Sequence, residues 1–513
     1  MTFSFDDKTF DRKQLPNDPE ALKDIIEGLV HHFSQKIGEL LHKIDQLEHE
    51  VATLKKKQFG QKSEKLSVNK TLSSLENSNK DEPHKKHPGR HKLPDHLERA
   101  RIPHDLNEEE KVCPLCQGHL VKIQEMVSEQ LDVIPAKLQV KEHVRFKYAC
   151  RHCYGSIKIS KLPDAPIDKG LPSANLLAHV LTNKFYDHVP FYRQQRWFRR
   201  HGYEVSRSTL WSWEEKCAIA LEPLVKALGH ELVTGDHLFT DDTPMPTLEK
   251  GQSKAKIGRI WAYTRREALN QKSMTVYEYT PDRKGIHSQI FLKDFKGYLQ
   301  VDAFAGFNKL FINENTITEV GCMAHARRKF IEVTSVDPHS HAFGALKLIQ
   351  ELYKIERFIK QAGYSDEQRK YLRKRRSKPF LKGLYRWLKK YQSLAPPKSS
   401  LGQAIGYAFN HWKALTAFLG DGRLEIDNNR SERAIKPIVI GRKNFLFMGG
   451  PRGGWAAAII FSLIETCRQN NVDPQAYLAD VLERLPTHPN RLIKDLLPHH
   501  WKPSYDLPMA QAA

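Results

Sequence analysis

The sequence predicts a multidomain α/β protein, and three observations support this fold class. The chain has 513 residues, more than one hydrophobic core usually serves. Between positions 237 and 335, five short apolar runs predict strands of one sheet: HLFTD, RIWAYT, MTVYEYT, YLQVDA and ITEVGCM. The segments before and after these runs have apolar residues at the 3.6-residue period of helices. We therefore expect a sheet with helices around it and smaller domains beside it.

Charge and cysteine content indicate a polyanionic partner and a reducing compartment. Lys and Arg number 81 against 60 Asp and Glu, which gives a formal net charge of +21 and a pI near 9.5. Such an excess favours nucleic acid over a membrane surface; a basic surface that serves only solubility is the alternative. The sequence has no stretch of 18 apolar residues and no signal-peptide pattern, so no membrane partner is expected. Four of the seven cysteines form two close pairs, which predicts metal ligands rather than disulfides.

Residues 20–66 predict a coiled-coil dimerisation segment. Apolar residues recur every seven positions in two series, at heptad position a (Val30, Ile37, Ile44, Val51) and at position d (Ile26, Phe33, Leu40, Leu47, Leu54). β-Branched residues at a with mostly Leu at d favour a parallel two-stranded coil, so we expect a homodimer. The alternative is an amphipathic helix packed on its own chain, which would show a broader apolar stripe. Residues 67–98, rich in Ser, Asn, Lys and Pro, predict a basic linker after the coil.

Residues 99–160 predict a zinc ribbon. Its candidate ligands form two Cys-x-x-Cys pairs with 33 residues between them: Cys113, Cys116, Cys150 and Cys153. Each pair can occupy one edge of a tetrahedral Zn²⁺, and the residues between the pairs alternate as strands do. Because four thiolates leave no open coordination position, the zinc is expected to be structural. The spacing leaves open whether the ribbon contacts DNA.

Residues 165–230 predict a helical, helix-turn-helix-like DNA-binding segment. Three residues mark its helix boundaries: Pro190 before a helix, Gly202 at a turn, and Ser206 as the cap of SRSTLWSWEEK. The first turn of that last helix would expose Arg207 and Ser208 to DNA, with Leu210 and Trp213 buried. A plain three-helix bundle has the same sequence pattern and is the alternative.

Three carboxylates, Asp241, Asp302 and Glu432, are the candidate catalytic residues of a domain that spans residues 235–450. Asp241 ends an apolar run, and the Thr-Pro that follows predicts the exit from a strand. Asp302 ends a second such run. Glu432 lies on the first turns of a predicted helix that Asp427 or Asn428 can cap; the sequence there is LEIDNNRSERAIKP.

Two strand-end aspartates and a helical glutamate suit a site for two Mg²⁺ ions. Ions roughly 3.5–4 Å apart stabilise both the attacking and the leaving oxygen at a phosphodiester. The aspartates lie on the first and fourth predicted strands, which are neighbours if the first three form a meander and the fourth pairs with the first. Consecutive side chains alternate faces, so Asp241 and Asp242 cannot both face the site from a regular strand. A trio of two aspartates and a glutamate can be chosen from any chain with 60 acidic residues. The support for a catalytic role of these three therefore comes from the motifs around them.

Residues about 340–420 predict a helical insertion within the catalytic domain, because they separate the second carboxylate from the third. At its centre Lys and Arg alternate with Tyr371, Tyr385 and Trp387, a pattern that suits phosphate contact with base stacking. The alternative is a solvated basic face whose aromatic rings lie in a core. Residues 451–500 predict a C-terminal helical segment. The preceding GGPRGG lacks the spacing of a nucleotide-binding P-loop.

With these segments in place, the chain resembles the transposases of the insertion-sequence 66 family, which are bacterial enzymes. The resemblance rests on motifs in this order: FGQKSEK, HPGRHKLPDHL, the two CxxC pairs, DHVPFYRQQRWFRRHGYEVSRSTLWSW, TDDTP, GYLQVDAFAGFN, CMAHARRKF and DNNRSERAIKPIVIGRKNFLF. It implies a ribonuclease-H-like core with a DDE triad that cleaves and joins DNA strands. It also implies a location in the bacterial cytoplasm, in association with the nucleoid.

The resemblance assigns the triad to Asp241, Asp302 and Glu432, with two Mg²⁺ or Mn²⁺ ions. The family usually has Asp-Glu-Thr-Pro around the first aspartate, which selects Asp241 over Asp242. The implied partners are the terminal repeats of the insertion sequence, target DNA, a homodimer or higher synaptic assembly, and accessory proteins of the same element. Phe304, Phe307 and Met323 replace the more usual Tyr, Tyr and Trp, and none of these changes removes a catalytic group.

Four more residues are candidate site residues that fewer observations support. Arg433 and Lys443 follow the third carboxylate in sequence and are candidates for holding DNA phosphates. Cys322 and His325 belong to a block that resembles the Cys-x-x-His often found after the second aspartate. A zinc site would need two more ligands, so we favour local structure for this pair. The functional alternatives are a nuclease without strand transfer and a non-catalytic DNA-binding repressor.

Overall fold

The structure is a computed structural model that describes residues 18–59, 99, 101, 137–149, 157–162, 164–167, 170–248, 251, 254–266, 272–312, 316–337 and 339–504. The chain divides into two compact units. The first comprises Met1–Glu82, His325–Tyr364 and Tyr371–Trp412, and the second comprises Pro83–Ala324, Ser365–Lys370 and Lys413–Ala513. None of the described helices is long and apolar enough to cross a membrane.

The described α-helices are α1 Pro19–Phe59, α2 Ala174–Phe185, α3 Phe191–Arg200, α4 Arg207–Leu232, α5 Ile286–Phe291, α6 Met323–Val336, α7 Ala342–Gln361, α8 Asp366–Leu372, α9 Lys378–Gln392, α10 Ser400–Asn410, α11 Trp412–Thr416, α12 Asn429–Phe445, α13 Pro451–Gln469 and α14 Pro474–Arg484. A π-helical turn, Arg373–Ser377, joins α8 to α9, and 3₁₀ helices cover Ala305–Phe311, Ala417–Leu419 and Asn490–Leu496. The described strands are β1 Lys147–Ala149, β2 Ile157–Ile159, β3 His237–Thr247, β4 Lys256–Arg265, β5 Met274–Thr280, β6 Gly297–Gln300 and β7 Ile317–Val320.

A mixed five-stranded sheet, in the order β5-β4-β3-β6-β7, organises the second unit. β3, β4 and β5 form an antiparallel meander, and β6 pairs in parallel with the first three residues of β3. β7 then pairs in parallel with β6. The meander and the pairing of the fourth strand with the first are as expected from the sequence. This topology places the residues that follow β6 beside the part of β3 that follows Phe239.

β3 is longer than expected, and the prediction that Thr243-Pro244 ends it is wrong. The strand continues to Thr247, opposite Lys256 of β4. β6 pairs only as far as Phe239, so no strand pairs with β3 on the side away from β4 between that residue and the isolated bridge of Thr247 with Met448. A proline is tolerated at such an edge because no partner strand needs its missing N–H. On that side the carbonyl of Pro244 accepts a hydrogen bond from Arg442.

The helices α2, α4, α13 and α14 share one hydrophobic core with the sheet. α13 is buried along most of its length, and each buried aliphatic side chain of this kind contributes about 1.5–3 kcal/mol to folding. Its hydroxyls also cover the edge strand: Ser462 Oγ accepts from Tyr277 N at 2.8 Å, and Thr466 Oγ1 accepts from Thr275 N at 3.1 Å. The helices α2 and α4 of the segment predicted at residues 165–230 therefore pack in the same core as the five-stranded sheet.

The helix boundaries of that segment follow the predicted residues. Pro190 is the N-cap of α3, and Gly202 adopts φ +78° in the turn after it. Ser206 Oγ accepts a hydrogen bond from Thr209 N at 3.0 Å and caps α4. Leu210 and Trp213 are buried, as expected. α4 is 26 residues long, however, more than a short recognition helix needs, and its remaining length packs in the core.

The N-terminal part of the chain is described only in part. α1 covers residues 20–59 of the predicted coiled-coil segment, and Ile37 and Leu40 on it are 55% and 53% exposed. The rest of that segment, residues 60–66, and the predicted linker at 67–98 lie outside the described residues. β1 and β2 form an antiparallel pair that lies, in sequence, on either side of the second Cys-x-x-Cys. The four predicted zinc ligands lie outside the described residues. In the first unit, α7, α9 and α10 fall between β7 and α12, where a helical insertion was expected.

Candidate active site

The fold places Asp241 within β3, just beyond its pairing with β6, Asp302 two residues after β6, and Glu432 at the start of a helix. The prediction that Asp241 ends a strand is therefore wrong. β3 and β6 pair in the register Phe239 opposite Gln300. Two residues further along each chain, this register leads to Asp241 and Asp302. Neighbouring strands lie about 4.8 Å apart, so the two aspartates leave the sheet side by side. Glu432 lies in the first turn of α12.

Electrostatics show that the three carboxylates converge. Burial, followed by the charges of Asp302, Asp242 and Glu432 in that order, raises the pKa of Asp241 to about 8. A hydrogen bond from Asp242 N to Asp241 Oδ1, 2.8 Å long, acts in the opposite direction. Coulombic interaction falls with distance, so carboxylates that shift one pKa in this way lie close together. The site concentrates negative charge where little water can screen it.

The backbone after β6 is strained where it presents Asp302. Ala303 adopts φ +68°, a left-handed conformation that side chains with a Cβ disfavour. Asp302 Oδ1 accepts a hydrogen bond from Phe304 N at 3.1 Å across this residue. Strain of this kind persists only where the surroundings hold it, and functional sites are where it concentrates. The turn fixes the direction of the Asp302 carboxylate.

Asp242 belongs to a different set of contacts from Asp241. Its carboxylate is 3% exposed and accepts hydrogen bonds or ion pairs from Arg283 at 2.7 Å and Arg259 at 3.0 Å. Arg283 Nη2 also lies 3.9 Å from Asp302 Oδ2, and its guanidinium lies 3.9 Å from the centre of the Phe304 ring. Arg283 is a residue of the site that the sequence did not reveal. It supplies positive charge beside the acidic cluster.

The start of α12 is tied to the sheet through Asn428. This residue is fully buried; its Nδ2 donates to Thr240 O at 2.9 Å, and its backbone N donates to Cys322 Sγ at 3.1 Å. Gln300 Nε2 donates to Glu425 O at 2.9 Å, just upstream. Asn428 is the N-cap residue, as one of the two expected caps, but its side chain bonds to β3 instead of to α12. These bonds set where Glu432 enters the site.

The contact of Cys322 with Asn428 gives that cysteine a structural role beside the site. Its thiol is buried and accepts the hydrogen bond that locates α12. A metal site needs at least three ligand atoms close together. Among the described residues, neither Cys322 nor His325 belongs to a group of three potential ligands whose atoms all lie within 4.8 Å of one another. The preference for local structure over a zinc site at this pair stays a prediction.

The three carboxylates also fall outside this 4.8 Å limit, which is the spacing of ligands around one ion. Among the described residues, the group that meets the limit is Glu231, His499 and His500. There Glu231 Oε1 lies 2.8 Å from His499 Nε2 and 3.8 Å from Arg265 Nη2, so this carboxylate already has a cationic neighbour.

The predicted DNA-contact residues are spread over the unit. Arg433 is exposed and follows Glu432 directly on α12. Lys443 is exposed eleven residues further along the same helix, about 16 Å along its axis, so the structure does not place it beside the third carboxylate. Arg207 and Ser208 are exposed in the first turn of α4, and the Ser208 hydroxyl lies 2.7 Å from that of Ser206.

Models of known protein families match most of this chain. The family model described as "Transposase IS66 family" matches residues 169–456, a span that contains all three carboxylates. This chain belongs to the IS66 transposase family. Three further models match it: "zinc-finger binding domain of transposase IS66" at residues 110–154, "IS66 C-terminal element" at 462–499, and "Transposase C of IS166 homeodomain" at 46–102. As an IS66 transposase, it acts on DNA and carries a zinc-finger segment.

Chains similar to this one occur in Sinorhizobium fredii (strain NBRC 101917 / NGR234). The uncharacterized protein y4jD is 33% identical over 502 residues, which cover 91% of this chain and 97% of the relative. The uncharacterized protein y4hP is 35% identical over 437 residues, 82% of this chain and 78% of the relative. The uncharacterized protein y4qI is 34% identical over 399 residues, 76% and 74% respectively. The likeness extends over nearly the full length of the transposase.

Proposed function

We propose that this transposase binds the ends of its insertion sequence and catalyses metal-dependent DNA strand cleavage and strand transfer. The catalytic residues are Asp241, Asp302 and Glu432. The observation that carries the proposal is their convergence: burial, together with the charges of Asp302 and Glu432, raises the pKa of Asp241 to about 8. A buried cluster of like charges is unfavourable for folding by itself, and such clusters are typical of sites that bind cations.

The donor set suits Mg²⁺ or Mn²⁺. All three proposed ligands are carboxylates, whose oxygens hard divalent cations prefer. Two bound ions would activate the attacking oxygen and stabilise the leaving oxygen of a phosphodiester. The protein's own part is positioning: the turn at Ala303 aims Asp302, and Asn428 holds the start of α12 so that Glu432 faces the strand ends.

The sheet supports a ribonuclease-H-like core. An antiparallel meander is followed by two strands that join the first strand in parallel, and a helix after the sheet returns the third carboxylate to the first two. In sheets with parallel strands, ligands bind beyond the carboxyl ends of the strands. Asp302 follows the carboxyl end of β6, and Asp241 lies on β3 just beyond the parallel pairing of the two strands. The helical insertion between β7 and α12 separates the carboxylates in sequence while the fold reunites them.

The other parts of the proposal concern zinc, DNA and assembly. Cys113, Cys116, Cys150 and Cys153 would hold a structural Zn²⁺ within the matched zinc-finger segment. Arg207 and Ser208 on α4 and Arg433 and Lys443 on α12 are exposed polar or basic candidates for contact with DNA phosphates. The proposed functional form is a homodimer or a higher synaptic assembly, because two element ends must meet, and accessory proteins of the same element would act with it.

The test is a cleavage and joining assay on duplexes that carry the ends of the parent element. The wild type is incubated with Mg²⁺ and with EDTA, beside Asp302→Asn as the inactive variant. Glu425→Gln serves as a matched control, because it removes a carboxylate of the same unit that pairs with Arg266 outside the triad. We expect metal-dependent 3′ nicking and joining in the wild type and in Glu425→Gln. Asp302→Asn should lose both reactions, by at least about 10³-fold, while DNA binding persists.

Two outcomes would replace the proposal with another function. Nicking that never proceeds to 3′-end joining would indicate a nuclease. DNA binding without chemistry in any divalent metal, with the accessory proteins present, would indicate a repressor that has kept the fold.

A further inference from the structure

We infer that an exposed basic face in the helical insertion binds the sugar–phosphate backbone of double-stranded DNA. This basic face consists of five residues on the π-helical turn and α9: Arg375, Lys378, Lys382, Arg386 and Lys389. The inference takes its partner, DNA, from the proposed function. It adds a binding surface on the first unit, whereas the proposed catalytic site lies in the second.

The charge of this segment has one sign. Between Tyr371 and Gln392 the sequence has nine Lys and Arg residues and no Asp or Glu. All five members of the basic face are exposed, and successive members are three or four residues apart, so they lie along one side of the helix. From Arg375 to Lys389 the face is about 21 Å long. Duplex DNA carries one phosphate charge per about 1.7 Å of its axis, so a face of this length can meet several phosphates.

The charges on the basic face are not neutralised by the protein. Among the residues that the structure describes, none of the five pairs with a carboxylate. Arg375 donates to the hydroxyl of Tyr371 at 3.1 Å, and Lys389 lies 5.3 Å from the Tyr385 ring. The neighbouring Arg373 differs, since it is buried and holds Glu356 at 2.7 Å. Arg373, which pairs with a carboxylate, is thus buried, whereas the five members of the basic face are exposed.

The packing of the aromatic residues of α9 favours duplex DNA over single-stranded DNA as the partner of the basic face. Proteins that bind single strands stack successive unpaired bases on exposed rings. Here the Tyr385 ring packs on Phe409 and Trp412, with centroids 5.6 and 5.1 Å away, and Trp387 packs edge-to-face on Phe330. These contacts lie within the first unit, and both rings are half-buried there. The exposed ring beside the basic face is that of Tyr371, whose hydroxyl accepts from Arg375, and a single ring does not supply the series of rings on which successive bases stack.

The apolar side of α9 keeps the basic face separate from the core. Leu381, Leu384 and Leu388 are buried, whereas the members of the basic face are not. Substitutions on the basic face therefore leave the packing of the insertion intact. Glutamine is suitable, because its helix propensity is close to that of Lys and Arg.

The experiment measures the affinity of the full chain for a duplex and for a single strand of the same length as a function of salt, in EDTA. The test variant carries Lys378→Gln, Lys382→Gln and Arg386→Gln. The matched control carries Lys347→Gln, Lys354→Gln and Lys360→Gln, three exposed lysines of α7 with the same loss of charge in the same unit. α7 has acidic residues among its basic ones, and Lys354 already pairs with Glu351 at 2.6 Å. Far-UV circular dichroism and thermal unfolding verify that both variants are folded.

We expect the test variant to bind the duplex roughly tenfold or more weakly, with a log–log salt slope smaller by about 2–3, since each lost phosphate contact removes about 0.9. The control should keep nearly the wild-type slope. An unchanged slope in the test variant, or an equal loss in the control, would overturn the inference. A loss confined to the single strand would overturn it in favour of a single-strand surface. Metal-dependent cleavage is measured separately, so an inert chain with the expected slopes would refute the proposed function alone.

Discussion

Asp241 and Asp242 are adjacent in sequence but have opposite electrostatic environments. Asp241 is buried among carboxylates, which raise its pKa, whereas Asp242 is held by two arginines. A carboxyl group whose pKa is raised by folding favours the folded state only while it is protonated. In the metal-free protein, the ionised Asp241 therefore opposes folding and the ionised Asp242 supports it.

Asp241→Asn should stabilise the metal-free protein at neutral pH. The pKa of Asp241 is near 4 in the unfolded chain and about 8 in the folded one. The penalty is thus absent below about pH 4, grows as the pH rises from 4 to 8, and is constant above 8. At pH 7 the variant should gain roughly 2–4 kcal/mol in free energy of unfolding, since one pKa unit corresponds to about 1.4 kcal/mol. Urea unfolding in EDTA at pH 4 and at pH 7 measures the difference.

Asp242→Asn is the control for this prediction, because it changes the same charge one residue away. It leaves Arg259 and Arg283 without their shared carboxylate, so it should destabilise the protein. Adding Mg²⁺ should stabilise the wild type and leave Asp241→Asn nearly unaffected. A loss of stability at pH 7 in both variants would contradict this account of Asp241.

Alternation along a strand indicated from sequence that Asp241 and Asp242 face opposite sides, and the family pattern selected Asp241 as the catalytic one. The contact of Arg283 with Asp242 was not predictable in the same way. It joins residues 41 apart, and no local periodicity records such a contact. The identity of the three carboxylates came from motifs, while their convergence depends on strand register, which only the folded sheet fixes.

At the scale of elements, the placement of α12 against β3 depends on one buried amide. Asn428→Ala removes the hydrogen bond to Thr240 O and leaves that buried carbonyl without this donor. We expect a loss of about 1–3 kcal/mol in stability, together with weaker Mg²⁺ binding, because Glu432 follows four residues later. Calorimetric titration with Mg²⁺ and urea unfolding measure the two effects.

Asn444→Ala, at the far end of the same helix, is the matched control. Its amide donates to Ile440 O within α12 and accepts from Arg193, near solvent. Its substitution should change stability by no more than about 0.5 kcal/mol and leave Mg²⁺ affinity unchanged. If the two variants behaved alike, Asn428 would have no special role in positioning the helix.

The order of the elements was easier to predict than their ends. The five strands and the pairing of the fourth with the first followed from apolar runs and the need to bring two aspartates together. The end of β3 was mispredicted at Pro244, because a proline ends a strand only where a partner needs its N–H, and the sequence does not show which edge is open. The cover of α13 over β5 was likewise invisible, since Ser462 and Tyr277 are 185 residues apart.

At the scale of the whole molecule, α1 leaves apolar side chains in water. Six residues of the two predicted heptad series are exposed in the single chain: Ile26, Val30, Phe33, Ile37, Leu40 and Leu47. Large apolar residues at a and d positions are costly to hydrate and are buried when a second helix packs on them. A second copy of the chain supplies the same series in the same register. The helix therefore suits a parallel homodimer.

The variant Ile37→Glu with Leu40→Glu should weaken that dimer, because it places two charges per chain in the apolar seam. The control, His31→Glu with Gln35→Glu, adds the same charge at heptad positions b and f, which face solvent in a coil. Analytical ultracentrifugation of the full chain should give a dimer Kd raised at least about tenfold in the seam variant, equivalent to 1.4 kcal/mol, and nearly unchanged in the control. Equal Kd values for wild type and seam variant would mean that the dimer forms elsewhere. Joining of two element ends, measured in parallel, should fall with dimerisation while single-end nicking remains, because only joining needs two ends in one assembly.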